Sequence, residues 1–373
     1  MSKSLKAETR FKGDPVILIL VIFLSVISLY AVSSSSDHLT SQLMHLGICF
    51  GAMFVFYKID YRYLSGFSFF FLIIAFVLMV FTLLYGEKRR AIAIFGQNIQ
   101  TFYLIGFLVV FYVAKFLASR MNRGEELTIK EMAALFAVIG IFCGGIAIAN
   151  LSTALILFFT CTVVLFIANV KMKYLVILVT AFAIGGITFL SLDIGRSGTG
   201  KNRIAYYMSV VKGEQKQQAV SREMTDYGRQ MTLAKAAIAR STWIPAGPGQ
   251  GVIKKTLAQK DTDFVYSTVV EEVGIVGGVI IILLYLILFF RTMQIARKSD
   301  GFFGRVLAVG IGFWFTCQAL VHIGVNCELL PATGQTLPLI SRGGASLLFS
   351  GMMIGILLNI SKNKALESEK FSF

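Results

Sequence analysis

The sequence is short of charge. Of its 373 residues only 15% are Asp, Glu, Lys or Arg, against 56% that are hydrophobic. A chain of that balance cannot fold as a soluble globule, because its uncharged runs far exceed what a core helix needs. The alternating pattern of a membrane barrel is missing too, which leaves helices as the spanning element. Histidines number three and cysteines five. With no CxxC pair and no histidines at i,i+4, neither a structural metal nor a redox centre is expected. Cys49, Cys143, Cys161 and Cys317 lie within apolar runs and read as small packing residues, while Cys327 alone faces outward. No small-residue cleavage site follows the first apolar run, which therefore reads as a retained signal anchor behind Lys3, Lys6, Arg10 and Lys12.

What the sequence does contain is a series of apolar runs, each near the ~20 residues that cross a ~30 Å hydrocarbon layer. They fall at 15–33, 42–57, 65–85, 101–118, 131–149, 153–169, 174–192, 264–290, 305–325 and 345–360. The expected fold is an all-α integral membrane protein of about ten transmembrane helices, a single polytopic domain over residues 1–373. A long extracytoplasmic loop, 193–263, separates spans seven and eight. Counted from a cytoplasmic N-terminus, the inner connections carry Lys58 and Arg62; Arg120, Arg123 and Lys130; Lys171 and Lys173; and Arg291, Arg297, Lys298 and Arg305. The tail adds Lys362 and Lys364, so both termini are expected in the cytoplasm. No nucleic-acid partner is expected.

Two outward segments break that bias. Gly86–Gln100 opens with Lys88, Arg89 and Arg90, and 193–263 carries a dozen Lys and Arg against six Asp and Glu. A long loop translocates whatever its charge, but a short one beside a span end does not, and outward cations there point to a bound anion such as phosphate or diphosphate. The best general-base candidates enter the eighth span: Asp261 and Asp263 at its start, Glu271 and Glu272 about two turns in. Helix capping would account for one of the aspartates, and a buried ion pair or packing hydrogen bond for the glutamates. Between spans nine and ten, Leu329–Ser346 holds Pro331, Pro338, Gly334, Gly343 and Gly344 among apolar residues. That backbone cannot continue a helix and must fold against protein, because lipid would leave its polar groups unsatisfied. There Ser341 and Arg342 are placed to donate to a phosphate.

At these residues the chain resembles the SEDS family (shape, elongation, division and sporulation) of peptidoglycan glycosyltransferases. Leu329-Leu330-Pro331 through Gly334, Leu337-Pro338 and Ile340-Ser341-Arg342-Gly343-Gly344 is similar to that family's Gly-Leu-Leu-Pro…Gly…Leu-Pro…Ile-Ser-Tyr-Gly-Gly-Ser, with Glu328 for the first Gly, Arg342 for Tyr and Ala345 for Ser. Asp261-Thr262-Asp263-Phe264-Val265, continuing to Glu271-Glu272-Val273-Gly274, resembles His-Thr-Asp-Phe-Ile…Glu-Glu-Leu-Gly, with Asp261 for His. Tyr227, Gln230, Arg203-Ile204 and Arg89-Arg90 with Gly96 and Gln100 match as well. The chain departs at the fourth span, where Gln-Pro-Ser-Glu-Leu-Ala-Lys becomes Gln100-Thr101-Phe102-Tyr103-Leu104-Ile105-Gly106. Lys115, three turns on, is the expected stand-in for the missing cation. Pro-Asp-Leu-Gly-Thr-Ala becomes Ala149-Asn150-Leu151-Ser152-Thr153-Ala154.

The resemblance implies polymerisation of a lipid-linked disaccharide-pentapeptide (lipid II) into glycan strands, with inversion and release of undecaprenyl pyrophosphate, in the bacterial inner membrane. It makes Asp263 the catalytic base. Arg89, Arg90, Arg203, Gln230, Thr262, Glu271, Ser341 and Arg342 become substrate-binding candidates. No cofactor is required, although a divalent cation, Mg or Mn, suits a diphosphate leaving group. The implied partners are a class B penicillin-binding protein, which crosslinks the strands, and other membrane proteins of the division or elongation machinery. A precursor flippase would share the anionic headgroup site but calls for inverted repeats, and none is visible. A non-catalytic scaffold would keep the fold and tolerate loss of the fourth-span Glu and Lys.

Overall fold

The computed structural model of the chain describes residues 12–33, 36–86, 92–94, 97–124, 127–191, 203–205, 207–208, 222–243 and 245–370. Among them twelve α-helices form. They are α1 (Pro15–Val32), α2 (Ser36–Lys58), α3 (Tyr61–Gly66), α4 (Ser68–Tyr85), α5 (Phe102–Met121) and α6 (Ile129–Ala147), then α7 (Leu151–Ile167), α8 (Met172–Ser191), α9 (Arg222–Arg240), α10 (Val265–Lys298), α11 (Phe302–Asn326) and α12 (Gly344–Lys370). Nine are long and apolar enough to cross a membrane, and the 17-residue α7 completes the ten spans. At 1.5 Å per residue α7 reaches only about 25 Å, short of a full crossing. It lies inside the bundle, with Ile156, Leu157, Cys161, Val164 and Leu165 buried. The protein is therefore a multi-pass membrane protein.

Two details differ from the sequence reading. The connection after α4 pairs as a small antiparallel ribbon, β1 (Ile92–Ile94) with β2 (Gln97–Ile99), in register Ile92↔Ile99 and Ile94↔Gln97. The third span starts later than its apolar run, because the backbone leaves helical geometry at Phe67 between α3 and α4. His38 stands in the first turn of α2.

Local chemistry fixes the helix ends. Pro15 occupies the first turn of α1, where its missing N–H costs nothing, and Asp14 Oδ1 accepts from Val16 N and Ile17 N at 3.0 and 3.2 Å. The same carboxylate takes Arg291 Nε at 2.8 Å, tying the far end of α10 to the start of α1. Thr128 and Glu131 form a reciprocal capping box on α6. Asn150 caps α7 through Thr153 N.

α5, α11 and α12 form the buried centre, while α4 and α8 present Phe69, Phe76, Val77, Ile184 and Ile187 outward. In lipid such outward apolar faces carry no penalty, so helix association must come from close packing. α12 lies along α2 through Gly351 and Gly355, four residues apart. A Cβ at Gly355 would lie 2.5 Å from Met53 O, and one at Gly351 would overlap Cys49 O. Gly351→Val should therefore force α12 off α2. A loss of about 1–3 kcal/mol, typical of overpacking, is expected as a lower thermal midpoint in detergent, while a valine at open Gly47 leaves the midpoint within error.

Candidate active site

The site is assembled where α11 ends and α10 begins. α11 stops in a Schellman motif: Glu328 N donates to Val325 O at 3.0 Å and Leu329 N to Gly324 O at 2.8 Å. Glu328 takes the left-handed position, φ 58°, that normally favours glycine. The strain of ~1 kcal/mol is accepted beside an ion pair with Lys235 of α9, Nζ to Oε2 2.6 Å. From Pro331 the chain runs back into the bundle without helix, and Gln335 through Ser341 are buried. Side chains of the spans meet its carbonyls. His322 Nδ1 donates to Gln335 O (2.7 Å), Gln318 Nε2 to Thr336 O (2.9 Å), Ser28 Oγ to Ile340 O (2.8 Å), and Tyr285 OH to Pro338 O.

The lead into α10 is joined to this segment twice. Arg342 N donates to Asp261 O at 2.7 Å, and Ser341 Oγ donates to Thr262 O at 2.8 Å while accepting from Leu337 N at 2.8 Å. Asn326 secures the other side, its Nδ2 donating to Asp263 O (3.1 Å) and its Oδ1 accepting from Ser267 N and Oγ. Phe264 is the N-cap residue of α10 and gives no side-chain cap, so neither Asp261 nor Asp263 is spent on capping.

Between the two segments lies a cavity of about 440 Å³, lined among others by His38, Gln100, Lys260, Asp261, Thr262, Asp263, Gly334, Thr336, Arg342 and Ser346. Asp263 faces Gly334, where φ is 72° and an added Cβ would come 3.3 Å from Oδ2. The backbone thus approaches the carboxylate as only glycine allows. Among the described residues neither the Lys260 ammonium nor the Arg342 guanidinium has a hydrogen-bonding or ionic partner, so both charges are available to a ligand. Asp261 takes His38 Nδ1 on Oδ2 at 2.7 Å. The N-terminus of α12, at Gly343–Ser346, adds free backbone N–H groups at the same wall. No three His, Cys, Asp or Glu come together as a ligand set among the described residues. Asp263 with the oxygens of a bound diphosphate would suit Mg2+, which is commonly held by one or two carboxylates and substrate phosphate, whereas Asp261 is buried and engaged by His38.

The family model of the FtsW, RodA and SpoVE cell cycle proteins matches residues 14–366. This chain belongs to that family. Stage V sporulation protein E of Bacillus subtilis is 29% identical over 328 residues, 86% of each chain. The probable peptidoglycan glycosyltransferase FtsW of Trichlorobacter lovleyi is 27% identical across 93% of each, and that of Alcanivorax borkumensis 30% across 84% of this chain and 80% of its own. The fold is shared with a chain of a peptidoglycan synthase complex that couples polymerization and crosslinking (TM-score 0.76, 21% identity, 94% and 98% of the two chains). It is shared too with the rod shape determining protein RodA of Thermus thermophilus (TM-score 0.68, 21% identity, 94% and 97%).

Of the residues singled out from the family's motifs, Asp263, Thr262 and Arg342 line the cavity. Ser341 does not reach it, since it is buried and its hydroxyl holds the two segments together. Arg203 lies at the rim segment, donating to Ala332 O at 3.2 Å, and Gln230 is half-buried on α9 away from the lining. Arg89 and Arg90 lie outside the described residues. Lys115 is no stand-in for a fourth-span cation. It sits over the Phe303 ring, 5.9 Å from the centroid, at the start of α11 and thus at the opposite end of the bundle. His38 and Lys260 went unselected in the sequence, the first because nothing there pairs it with Asp261, 223 residues away.

Glu271 is also displaced from the expected role. Its oxygens accept Ile253 N (2.9 Å) and Lys254 N (3.0 Å). Glu272, fully buried, accepts Gly249 N (3.0 Å) and Lys254 Nζ (3.0 Å), and the same ammonium donates to Ala31 O (2.8 Å). Just beyond, Gly274 leaves helical geometry (φ 79°, ψ 174°), so that Ile275 N turns to Thr242 O at 3.1 Å. The two glutamates therefore clamp the end of the long loop onto a break in α10. Glu272→Leu strands a buried ammonium and is expected to cost about 3–5 kcal/mol, seen as a large drop in thermal midpoint. Lys254→Met added to it should recover most of that loss; a double variant as unstable as the single would rule out the ion pair as the cause.

Proposed function

We propose that this protein is a peptidoglycan glycosyltransferase that polymerises lipid II, with the cavity on the extracytoplasmic face of the bacterial inner membrane and both termini in the cytoplasm. The observation that carries the reading is the Asp263 carboxylate set in one cavity with Lys260 and Arg342, whose charges have no partner among the described residues. Relatives named as peptidoglycan glycosyltransferases, aligned across most of their length, support the reaction class. The cation bias of the connections supports the orientation.

The acceptor's sugar hydroxyl attacks the anomeric carbon of the donor as its proton passes to Asp263, and the anomeric carbon–oxygen bond to the diphosphate breaks on the opposite face. One displacement inverts the centre and requires no covalent intermediate. Negative charge grows on the departing undecaprenyl pyrophosphate. Fixed donors from Lys260, Arg342 and the α12 N-terminus therefore stabilise the transition state more than the bound donor. A divalent cation held with the diphosphate would supply further neutralisation. The crosslinking partner in this reading is a class B penicillin-binding protein docked in the membrane beside the bundle, with other division or elongation proteins around it.

A second reading, a catalytically silent scaffold, is favoured by one feature. Tyr103 and Gly106 stand where the family has Glu and Lys, and a Cβ at Gly106 would overlap the Trp314 indole, which fills the space. Purified protein given labelled lipid II, with and without its transpeptidase, separates the two. Wild type is expected to make polymer and a folded Asp263→Ala variant to lose at least roughly a hundredfold in rate, within the range that positioned acid–base catalysis contributes. No polymer from wild type with its partner present would establish the scaffold.

A further inference from the structure

The pair His38–Asp261 has no part in the scheme above. It nonetheless lies in the same cavity as Asp263, Lys260 and Arg342. Asp261 is 5% exposed, and its Oδ1 is a buried oxygen with no hydrogen-bond partner, so the carboxylate depends on the imidazole alone. With Asp261 as a carboxylate, which only accepts, the 2.7 Å contact is a hydrogen bond donated by His38 Nδ1. Nothing else among the described residues bonds the ring, whose side chain is 36% exposed. Its remaining nitrogen, Nε2, is thus held in a fixed direction at a cavity wall without a protein partner. A carboxylate that locks one ring nitrogen and thereby aims the other is a recurring way to prepare histidine for a ligand. A purely structural link between α2 and the lead into α10 would not require the ring to border the cavity.

The sequence adds a second observation. The motif this chain resembles has its imidazole at the position of Asp261, and this chain has a carboxylate there and supplies the imidazole from α2. We propose that His38, oriented by Asp261, is a diphosphate-binding residue that donates from Nε2 to the phosphate oxygens of the polyprenyl-diphosphate donor. The inference rests on the glycosyltransferase reading for the identity of the donor. The geometry requires no more than a diphosphate anion between His38, Lys260 and Arg342. In this role the ring is an imidazolium, giving one proton to Asp261 and one to the ligand. The charge of the pair balances internally, so Lys260 and Arg342 carry the net attraction and His38 the direction.

Histidine-labelled (15N) protein in lipid nanodiscs, titrated with inorganic pyrophosphate, tests this without any turnover. Only three histidines contribute signals. His322, buried and outside the lining, serves as the internal reference, and His38→Gln assigns the His38 signal. The His38 Nε2 signal is expected to shift saturably with pyrophosphate and to stay still with chloride at equal ionic strength, while Asp261→Asn weakens the apparent affinity about tenfold. A stationary His38 signal, an equal response to chloride, or an Nε2 that stays unprotonated in saturating pyrophosphate overturns the proposal. In the polymerisation assay His38→Ala should raise KM for the lipid-linked donor about tenfold with kcat changed less than about threefold, and His38→Gln, which keeps a donor, should recover part of it. An unchanged KM also overturns it. If wild type makes no polymer the glycosyltransferase reading fails, yet the pyrophosphate titration still decides whether His38 binds a diphosphate.

Discussion

The structure depends on how a stretch of non-helical backbone is kept inside a membrane bundle. Hydrocarbon offers no partner to a free carbonyl, and each one left unsatisfied costs several kcal/mol. The segment from Ala332 to Ile340 meets this constraint at the carbonyls of Ala332, Gln335, Thr336, Leu337, Pro338 and Ile340. Arg203, His322, Gln318, Tyr285 and Ser28 each donate to one, and the N–H groups of Ile340 and Ser341 both return to Leu337 O. Those donors come from the loop and from α1, α10 and α11. Removing His322, Gln318, Tyr285 or Ser28 would do more than weaken a local contact, since each loss would leave a buried acceptor bare. Leu339, buried at φ 64°, shows the same dependence. A leucine tolerates the left-handed region because the contacts on either side leave the chain no other path.

Rigidity at this point is what makes a chemical site available. Asp263 and Arg342 belong to segments 79 residues apart, and they face one cavity because Ser341 Oγ and Arg342 N hold the two backbones in register at Thr262 and Asp261. Gln335 extends the same frame to α7, through Asn150 Oδ1 (3.3 Å) and Thr153 Oγ1 (2.8 Å), and Tyr103 ties it to α5 through Thr336. Below the site, Glu272 and Lys254 perform a comparable task for the long loop. The polar groups of the bundle therefore divide into those used up in holding backbone and the few that are left over. Lys260, Arg342 and the His38 ring are in the second group, and all three line the cavity.

The spans, their number and the need for a folded-back segment were legible in the sequence, because an apolar run and a proline pair carry their physics locally. Asp261 and Asp263 stood out as carboxylates at the entry to a span, and both line the cavity. Local pattern does not reveal which polar group is consumed. Ser341 and Glu271 have the right chemistry for a phosphate or a base, and both are occupied by backbone from segments distant in sequence. His38 presents the opposite case, since its bond is to a residue 223 positions on. Lys115 failed for a simpler reason: three helical turns carry it about 16 Å along the bundle, to the other end of α5.

The departures from the family's motifs fall into two kinds. At Asn150 the loss of an aspartate leaves the cap intact, since the amide oxygen accepts Thr153 N at 3.3 Å. At Gly106 the absent side chain is replaced in space by Trp314. At Glu328 a residue ill suited to φ 58° is accepted next to Lys235. Each of these is met by its neighbours, and none of the three lines the cavity. Arg342, a cation in the cavity lining where the motif has Tyr, is of the other kind, and so is Asp261. Asp261 brings a carboxylate into the cavity and draws an imidazole toward it from α2, and so alters what the site presents to an anion. Substitutions that packing absorbs test the fold, whereas this one bears on the chemistry, because the group it positions faces the space where a substrate must lie.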